Sequence, residues 1–228
     1  MGVINICNPF SNIYAGEIQC PSLGIDVDVF DENGNSTKVG ENGELVIKKP
    51  FPSMPVMFWN DKSEDKILKA YFKKYKNIWH HGDYIQKTKN GGYIIYGRSD
   101  STLKPGGVRI GTSEIYRQVE SFDEILESIV VGQNYQDDIR IILFIKLASG
   151  CIFSKELEDK IKKKIRTNCS PRHIPSKIIV CPDIPRTKSN KIVEVAVRKI
   201  INGDKIDNFE ALANPESLEF FKKLKIDN

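Results

Sequence analysis

YGRSDSTLKPGGVRIGTSEI, residues Tyr96 to Ile115, holds four glycines, two arginines and one aspartate in twenty positions. A plain surface loop needs neither that much backbone freedom nor that much charge. Gly106-Gly107 follows Pro105, and paired glycines permit positive φ and the close approach of a ligand or another stretch of backbone. Gly111-Thr112 then opens a segment with Ile115, Val119 and Phe122 at helical spacing. On these residues alone two readings stand open: a tight turn, or a backbone that a ligand must pass.

The stretch also separates two textures. Before it, Ile25, Val27 and Val29 alternate with Asp26, Asp28 and Phe30, a period close to two. Asn33-Gly34 is a hairpin signal, and Gly43 to Lys48 (GELVIK) reads as a further strand. Pro50, Pro52 and Pro55 predict a rigid, extended connection. A helix over Glu64–Tyr75 and a hairpin of Asp83–Lys87 with Gly92–Tyr96 complete a mostly β half. After it, helices are expected over Ser113–Phe122, over Ser154–Asn168 with Ser154 as N-cap, from about Lys191 to Asn202-Gly203, and over Glu216–Leu224. Strands Ile125–Val131, Ile141–Leu147 and Lys177–Cys181 lie between them. The expected fold class is α+β, with a β-rich part over residues 1–98 and a small α+β part over 99–228.

Composition narrows the class. The chain has 228 residues, 28% of them charged, and a net charge of +4, too mild to point to nucleic acid. Lys162-Lys163-Lys164 and Lys222-Lys223-Lys225 read as solvated helix faces. Five cysteines without CxxC spacing argue against a disulfide framework or a zinc site and suit a reducing, cytosolic setting. His80, His81 and His173 show no metal-ligand spacing. No apolar run approaches the length of a membrane span, and the first twenty residues lack the pattern of a secretory signal.

Two further constellations carry chemistry. In HHGDYI, His80 to Ile85, Asp83 follows a glycine at the mouth of a strand. A carboxylate there can accept hydrogen bonds from both hydroxyls of a ribose, or it can satisfy a turn amide. In IPRTKSNK, Ile184 to Lys191, a lysine sits just before a helix, where an anion would be better placed. Lys191 can point outward to an anion, or be an ordinary surface lysine.

HGD, then YGRSDSTLKPGGVRIGTSEI, then IPRTKSNK, in that order, resembles the C-terminal part of the adenylate-forming superfamily of acyl-CoA synthetases, luciferases and peptide-synthetase adenylation domains. Within it, GEIQC (Gly16–Cys20), PFPSMP (Pro50–Pro55), FWND (Phe58–Asp61), SPRHIP (Ser170–Pro175) and ALANPESL (Ala211–Leu218) look like the acetoacetate–CoA ligases. The resemblance covers nearly the whole chain. It implies ATP, accompanied by Mg2+, and CoA as reactants and acetoacetate as the acid, with no Mg2+ ligand identifiable here. It implies that Asp83 binds the ribose hydroxyls, that Arg98 contacts ribose or the α-phosphate, and that Arg109 meets phosphate. Gly107 would line the pantetheine path, Arg166 would face the CoA nucleotide, Lys191 would stabilise the adenylation transition state, and Asp100 would be a hinge.

Two departures accompany the resemblance. The family reads SGK at the catalytic lysine, whereas this chain reads Ser189-Asn190-Lys191. Asn is the next-best residue for left-handed backbone. The family's Ser/Thr/Gly-rich phosphate loop and large N-terminal domain have no counterpart here, so the chain alone is expected not to activate acetoacetate. A non-catalytic CoA- or nucleotide-binding module, and a portion of another short-chain acyl-CoA synthetase, remain as alternative readings.

Overall fold

The computed structural model of the chain describes residues 5–61, 63–205 and 212–226; residues 1–4 and Ala211, the first residue of the ALANPESL stretch, lie outside them. The chain forms two compact units, Met1–Ser99 and Asp100–Asn228. Both mix helix and sheet, so the fold is α+β.

The first unit is built on a four-stranded antiparallel sheet. Strands β3 (Val27–Phe30), β4 (Asn42–Ile47), β5 (Trp79–Lys87) and β6 (Tyr93–Arg98) pair in that order, beside a small ribbon of β1 (Asn5–Ile6) and β2 (Cys20–Pro21). Val27, Val29, Leu45, Ile47, Ile85 and Tyr93 share a core with Phe51 and Trp79. Val27 and Val29 face this core, and Asp28 between them is buried on the other side of the sheet against Lys48 and Lys87, which gives the period-two alternation. Asn33-Gly34 forms the turn read from sequence: Gly34 has φ +85°, and the Asp31 carboxylate accepts from the amides of Asn33 and Asn35. The helix expected over Glu64–Tyr75 is shorter than its sequence suggests. An α-turn, α1 (Asp65–Ile67), runs on as a π-helical turn over Leu68–Phe72. Aromatic packing overrides propensity there, because Tyr71 stacks on Trp79 with ring centroids 3.7 Å apart while Phe72 meets the same indole edge-on.

The second unit has a three-stranded mixed sheet between two helical layers. Strand β7 (Ile125–Tyr135) pairs antiparallel with β8 (Asp138–Leu147), and β8 pairs parallel with β9 (Lys177–Val180). On one face Val130, Ile141, Leu143 and Ile145 pack against α2 (Thr112–Val119) and α3 (Lys155–Asn168). On the other, Ile129, Val131, Ile142 and Phe144 pack against α4 (Glu194–Ile201) and α5 (Leu218–Lys223). Burial on both faces explains why these strands read as continuous apolar runs. Ser154 caps α3 as expected, its hydroxyl accepting from the Leu157 amide at 3.2 Å.

Several boundaries moved: β5 begins at Trp79 and not Asp83, β8 at Asp138 and not Ile141, and α2 ends at Val119 and not Phe122. The strand expected over Ile125–Val131 continues to Tyr135 and turns through Gln136-Asp137, both at positive φ. A two-residue turn of that geometry normally carries Asn-Gly or Asp-Gly, so this one was illegible. The last main helix begins at Glu194 and not near Lys191. Its first turn therefore holds an acidic residue, as the helix dipole favours, and Lys191 falls in the preceding turn. No helix among the described residues is long and apolar enough to cross a membrane.

Candidate functional site

In the first unit the pairing of β5 with β6 places Asp83 directly opposite Arg98. Arg98 Nη1 donates to the His81 carbonyl at 3.2 Å and lies 3.5 Å from Asp83 Oδ1. Gly82 makes this possible. Its φ is +83°, and a Cβ there would come within 2.7 Å of Arg98 Nη2. The other carboxylate oxygen of Asp83 faces His81 Nε2 at 3.4 Å. Trp79 Nε1 donates to His81 Nδ1 at 3.2 Å, so the neutral imidazole carries its proton on Nε2, toward Asp83.

Burial holds the His81 pKa below its ordinary value; the Asp83 carboxylate opposes this, and Arg98 and His80 reinforce it. The unfolded chain takes up a proton near pH 6.5 that the folded unit refuses. Stability of the first unit is therefore expected to fall as pH drops below about 6.5, until the depressed folded pKa is passed. His81→Asn should flatten that decline, read as the urea midpoint of the first unit between neutral and mildly acidic pH. An unchanged slope would count against it.

A second carboxylate lies within the same sheet, on β4. Glu44 is 1% exposed. It accepts from Lys74 Nζ at 2.6 Å, faces His80 Nε2 at 3.0 Å, and accepts from the Ser99 hydroxyl. A buried carboxylate persists only with such partners. Ser99 is the last residue of the first unit and Asp100, exposed, the first of the second.

In the second unit the glycine-rich stretch is a loop pinned at both ends. Leu103 and Ile110 bridge across it and are buried. Between them Pro105–Gly107 forms a 3-10 turn with Gly106 at φ +56° and Gly107 at φ +76°. The Gly106 amide donates to the Asp138 carboxylate at 2.9 and 3.0 Å. Gly107 is exposed, and a Cβ built there meets nothing within 4 Å. It lines an open cavity of about 600 Å³ together with Lys104, Asn134, Tyr135 and Asp138. Arg109 is half-buried, its Nε donating to Thr102 Oγ1 at 3.0 Å.

The start of α2 is fixed by Glu114, whose carboxylate accepts from the Gly111 amide at 2.9 Å and faces His173 Nε2 at 3.3 Å. Burial raises the Glu114 pKa, but the bonds from His173 and Gly111 outweigh it and hold the group below its ordinary value. The SPRHIP stretch thus braces the glycine loop, a role its sequence did not disclose. Arg166 is exposed on α3.

Lys191 is exposed in a tight turn. The Thr187 amide donates to the Lys191 carbonyl at 2.9 Å, the Lys191 amide donates to Thr187 Oγ1 at 3.1 Å, and the Asn190 amide donates to the Thr187 carbonyl at 2.8 Å. Asn190 takes φ +62°, the left-handed conformation that asparagine tolerates and glycine adopts freely. Among the described residues the Lys191 ammonium group makes no ion pair. Asn190→Gly should leave the stability of the second unit nearly unchanged, whereas Asn190→Ala should lower it by about 1–2 kcal/mol. Urea unfolding reads both; equal stability of the two variants would discount the left-handed strain.

Two units of this build match the C-terminal domain of adenylate-forming enzymes. A benzoate CoA ligase from Burkholderia xenovorans LB400 has the same fold, with a TM-score of 0.69 and 28% identity over 82% of this chain and 36% of its own. By sequence the chain belongs with the acetoacetyl-CoA synthetases. It is 53% identical to the acetoacetyl-coenzyme A synthetase of Rhizobium meliloti over 218 residues, 96% of this chain and 33% of that protein. The acetoacetyl-CoA synthetase of Streptomyces lividans superposes with a TM-score of 0.86 at 41% identity, over 92% of this chain and 32% of its own. The chain thus spans about a third of the length of these relatives. No family model matches it. Among the described residues no group of three or more His, Cys, Asp or Glu is placed to hold a metal ion.

Proposed function

We propose that the chain is the C-terminal portion of an ATP-dependent acetoacetate–CoA ligase. In the first half-reaction a carboxylate oxygen of acetoacetate attacks the α-phosphorus of Mg-ATP, a P–O bond forms, and pyrophosphate leaves. In the second the CoA sulfur attacks the acyl carbonyl, the thiol proton is lost, and AMP departs. Little covalent chemistry falls to the protein, which positions reactants and stabilises charge developing on phosphate.

Asp83 accepts from the ribose hydroxyls, Arg98 contacts ribose or the α-phosphate, and Arg109 meets phosphate. Gly107 lines the path of the pantetheine arm, Arg166 faces the CoA nucleotide, and Lys191 carries the ammonium group that stabilises adenylation. Magnesium enters with the nucleotide. Asp100 is the pivot between half-reactions, since hinges are a few residues at element ends. Asp100→Pro, by fixing one φ, should preserve one half-reaction and suppress the other; normal rates of both would remove the pivot. The five cysteines without paired spacing support a cytosolic setting.

The observation that carries the reading is identity of 53% sustained over 96% of the chain. Its test is a chimera in which this chain replaces the matching third of the Rhizobium meliloti relative. Acetoacetate-dependent pyrophosphate–ATP exchange and acetoacetyl-CoA formation are expected. The chain alone should show neither. A folded chimera silent in both half-reactions would retire the reading.

A further inference from the structure

We infer that Arg186 is a positioning residue for adenylation, holding the turn that presents Lys191 by bonding at once to that turn and to strand β7. The inference rests on the role proposed above for Lys191.

The guanidinium is placed between two fixed points. Nη1 donates to the Asn190 carbonyl at 2.9 Å, on the residue immediately before Lys191. Nη2 meets Glu127 Oε1 at 2.5 Å. Glu127 lies on β7, the strand that pairs with the central strand β8. The Arg186 backbone is held as well. Its amide donates to Asn214 Oδ1 at 2.8 Å, its carbonyl accepts from the Ala213 amide, and residue 186 bridges to Ile192 across the turn. Asn214 in turn donates to the Asp183 carboxylate at 2.6 Å.

The turn needs such an anchor for three reasons. It is exposed over residues 188–191. Its remaining side-chain bonds are short-range: the Thr187 hydroxyl bonds the Ser189 hydroxyl and accepts from the Lys191 amide. Its tip sits in left-handed backbone at Asn190, where glycine is the less strained choice. A flexible lysine at the end of a loose turn would spend little time in a reactive geometry, and misplacement of a charge-stabilising group is costly in rate. The planar guanidinium fork can bond a carboxylate and a carbonyl together; an ammonium group lacks that fixed geometry.

The test uses the chimera and the chain itself. In the chimera, Arg186→Gln should lower the turnover of pyrophosphate–ATP exchange by about 10- to 100-fold. It should leave the KM for ATP and the rate of thioester formation from supplied acetoacetyl-adenylate within about twofold. Arg186→Lys should restore part of the exchange rate by recovering the ion pair with Glu127. In the chain, hydrogen exchange at the Thr187 and Lys191 amides should accelerate at least about tenfold in Arg186→Gln, with the Ile142 and Phe144 amides unchanged. Equal loss of both half-reactions, or unaltered exchange at Thr187 and Lys191, would overturn the inference. Lys191→Ala, run in parallel, separates the two ideas. If it spares adenylation, the role of Lys191 fails. If it abolishes adenylation while Arg186→Gln does not, only the positioning role fails.

Discussion

Lys191→Ala, in the chimera with the Rhizobium meliloti relative, is expected to reduce acyl-adenylate formation by about 10²- to 10³-fold. Thioester formation from supplied acetoacetyl-adenylate should stay within about twofold of the parent. The asymmetry follows from when charge develops. Negative charge grows on the phosphate during adenylation, so a preorganised cation stabilises that transition state beyond the ground state. In the second half-reaction the new bond forms at carbon, and under the proposed pivot at Asp100 the lysine is no longer held at the phosphate. The local structure favours a clean outcome. Lys191 is exposed, and the bonds of its turn come from its backbone, which alanine retains. Pyrophosphate–ATP exchange and single-turnover thioester formation measure the two steps. A matching fall in both would show that the lysine serves general binding or folding.

Gly107→Leu is expected to produce the mirror image: adenylation near the parent rate and thioester formation reduced by about 10²-fold or more, since misplacement by an ångström already costs that much. Its Cβ would meet no protein atom within 4 Å, so the added side chain projects into open space, where the proposed pantetheine path would run. Backbone strain accompanies the change, because Gly107 sits at φ +76°. That strain should lower the stability of the second unit by about 1–2 kcal/mol, less than most domains can lose before unfolding. Gly107→Ala separates strain from obstruction, carrying the former with little of the latter. If alanine and leucine slow thioester formation equally, the glycine is required for its turn and not for a passage.

Together with Asp100→Pro these variants read the two half-reactions independently. Features of the first unit act on a different observable. His81 touches stability against pH, through a proton the folded unit excludes. Glu44 holds Ser99 from a buried position, which places a fixed anchor one residue before the proposed pivot.

Much of the fold was legible because burial leaves a periodic mark. Leu157, Ile161 and Ile165 announced α3, and Ser154 its start. The alternation of Val27 and Val29 announced β3. Asp83, Arg98, Gly107, Arg109 and Lys191 were legible as candidates because charge and glycine are conspicuous beside apolar runs. The π-helical turn at Leu68–Phe72 was not legible. It depends on how Tyr71, Phe72 and Phe51 pack around Trp79, contacts that leave no periodic mark in the sequence. Nor was the turn at Gln136-Asp137, which puts glutamine at positive φ where Asn or Gly is the usual choice.

The residues that hold the site were the least visible. His81, Glu44, Glu114, His173 and Arg186 are ordinary in composition and far apart along the chain. Glu44 reaches residues thirty to fifty-five positions away, and Glu114 reaches His173 across fifty-nine. By itself the sequence determined the two textures, the helices with one apolar stripe, the division near Ser99 and the conspicuous candidates, because each depends on residues close together along the chain. Only the tertiary structure decided where α4 starts, which carboxylate faces which base, and what anchors the Lys191 turn. Those choices are set by pairing between distant strands and by the need of each buried polar group for a partner, and neither is written in local order.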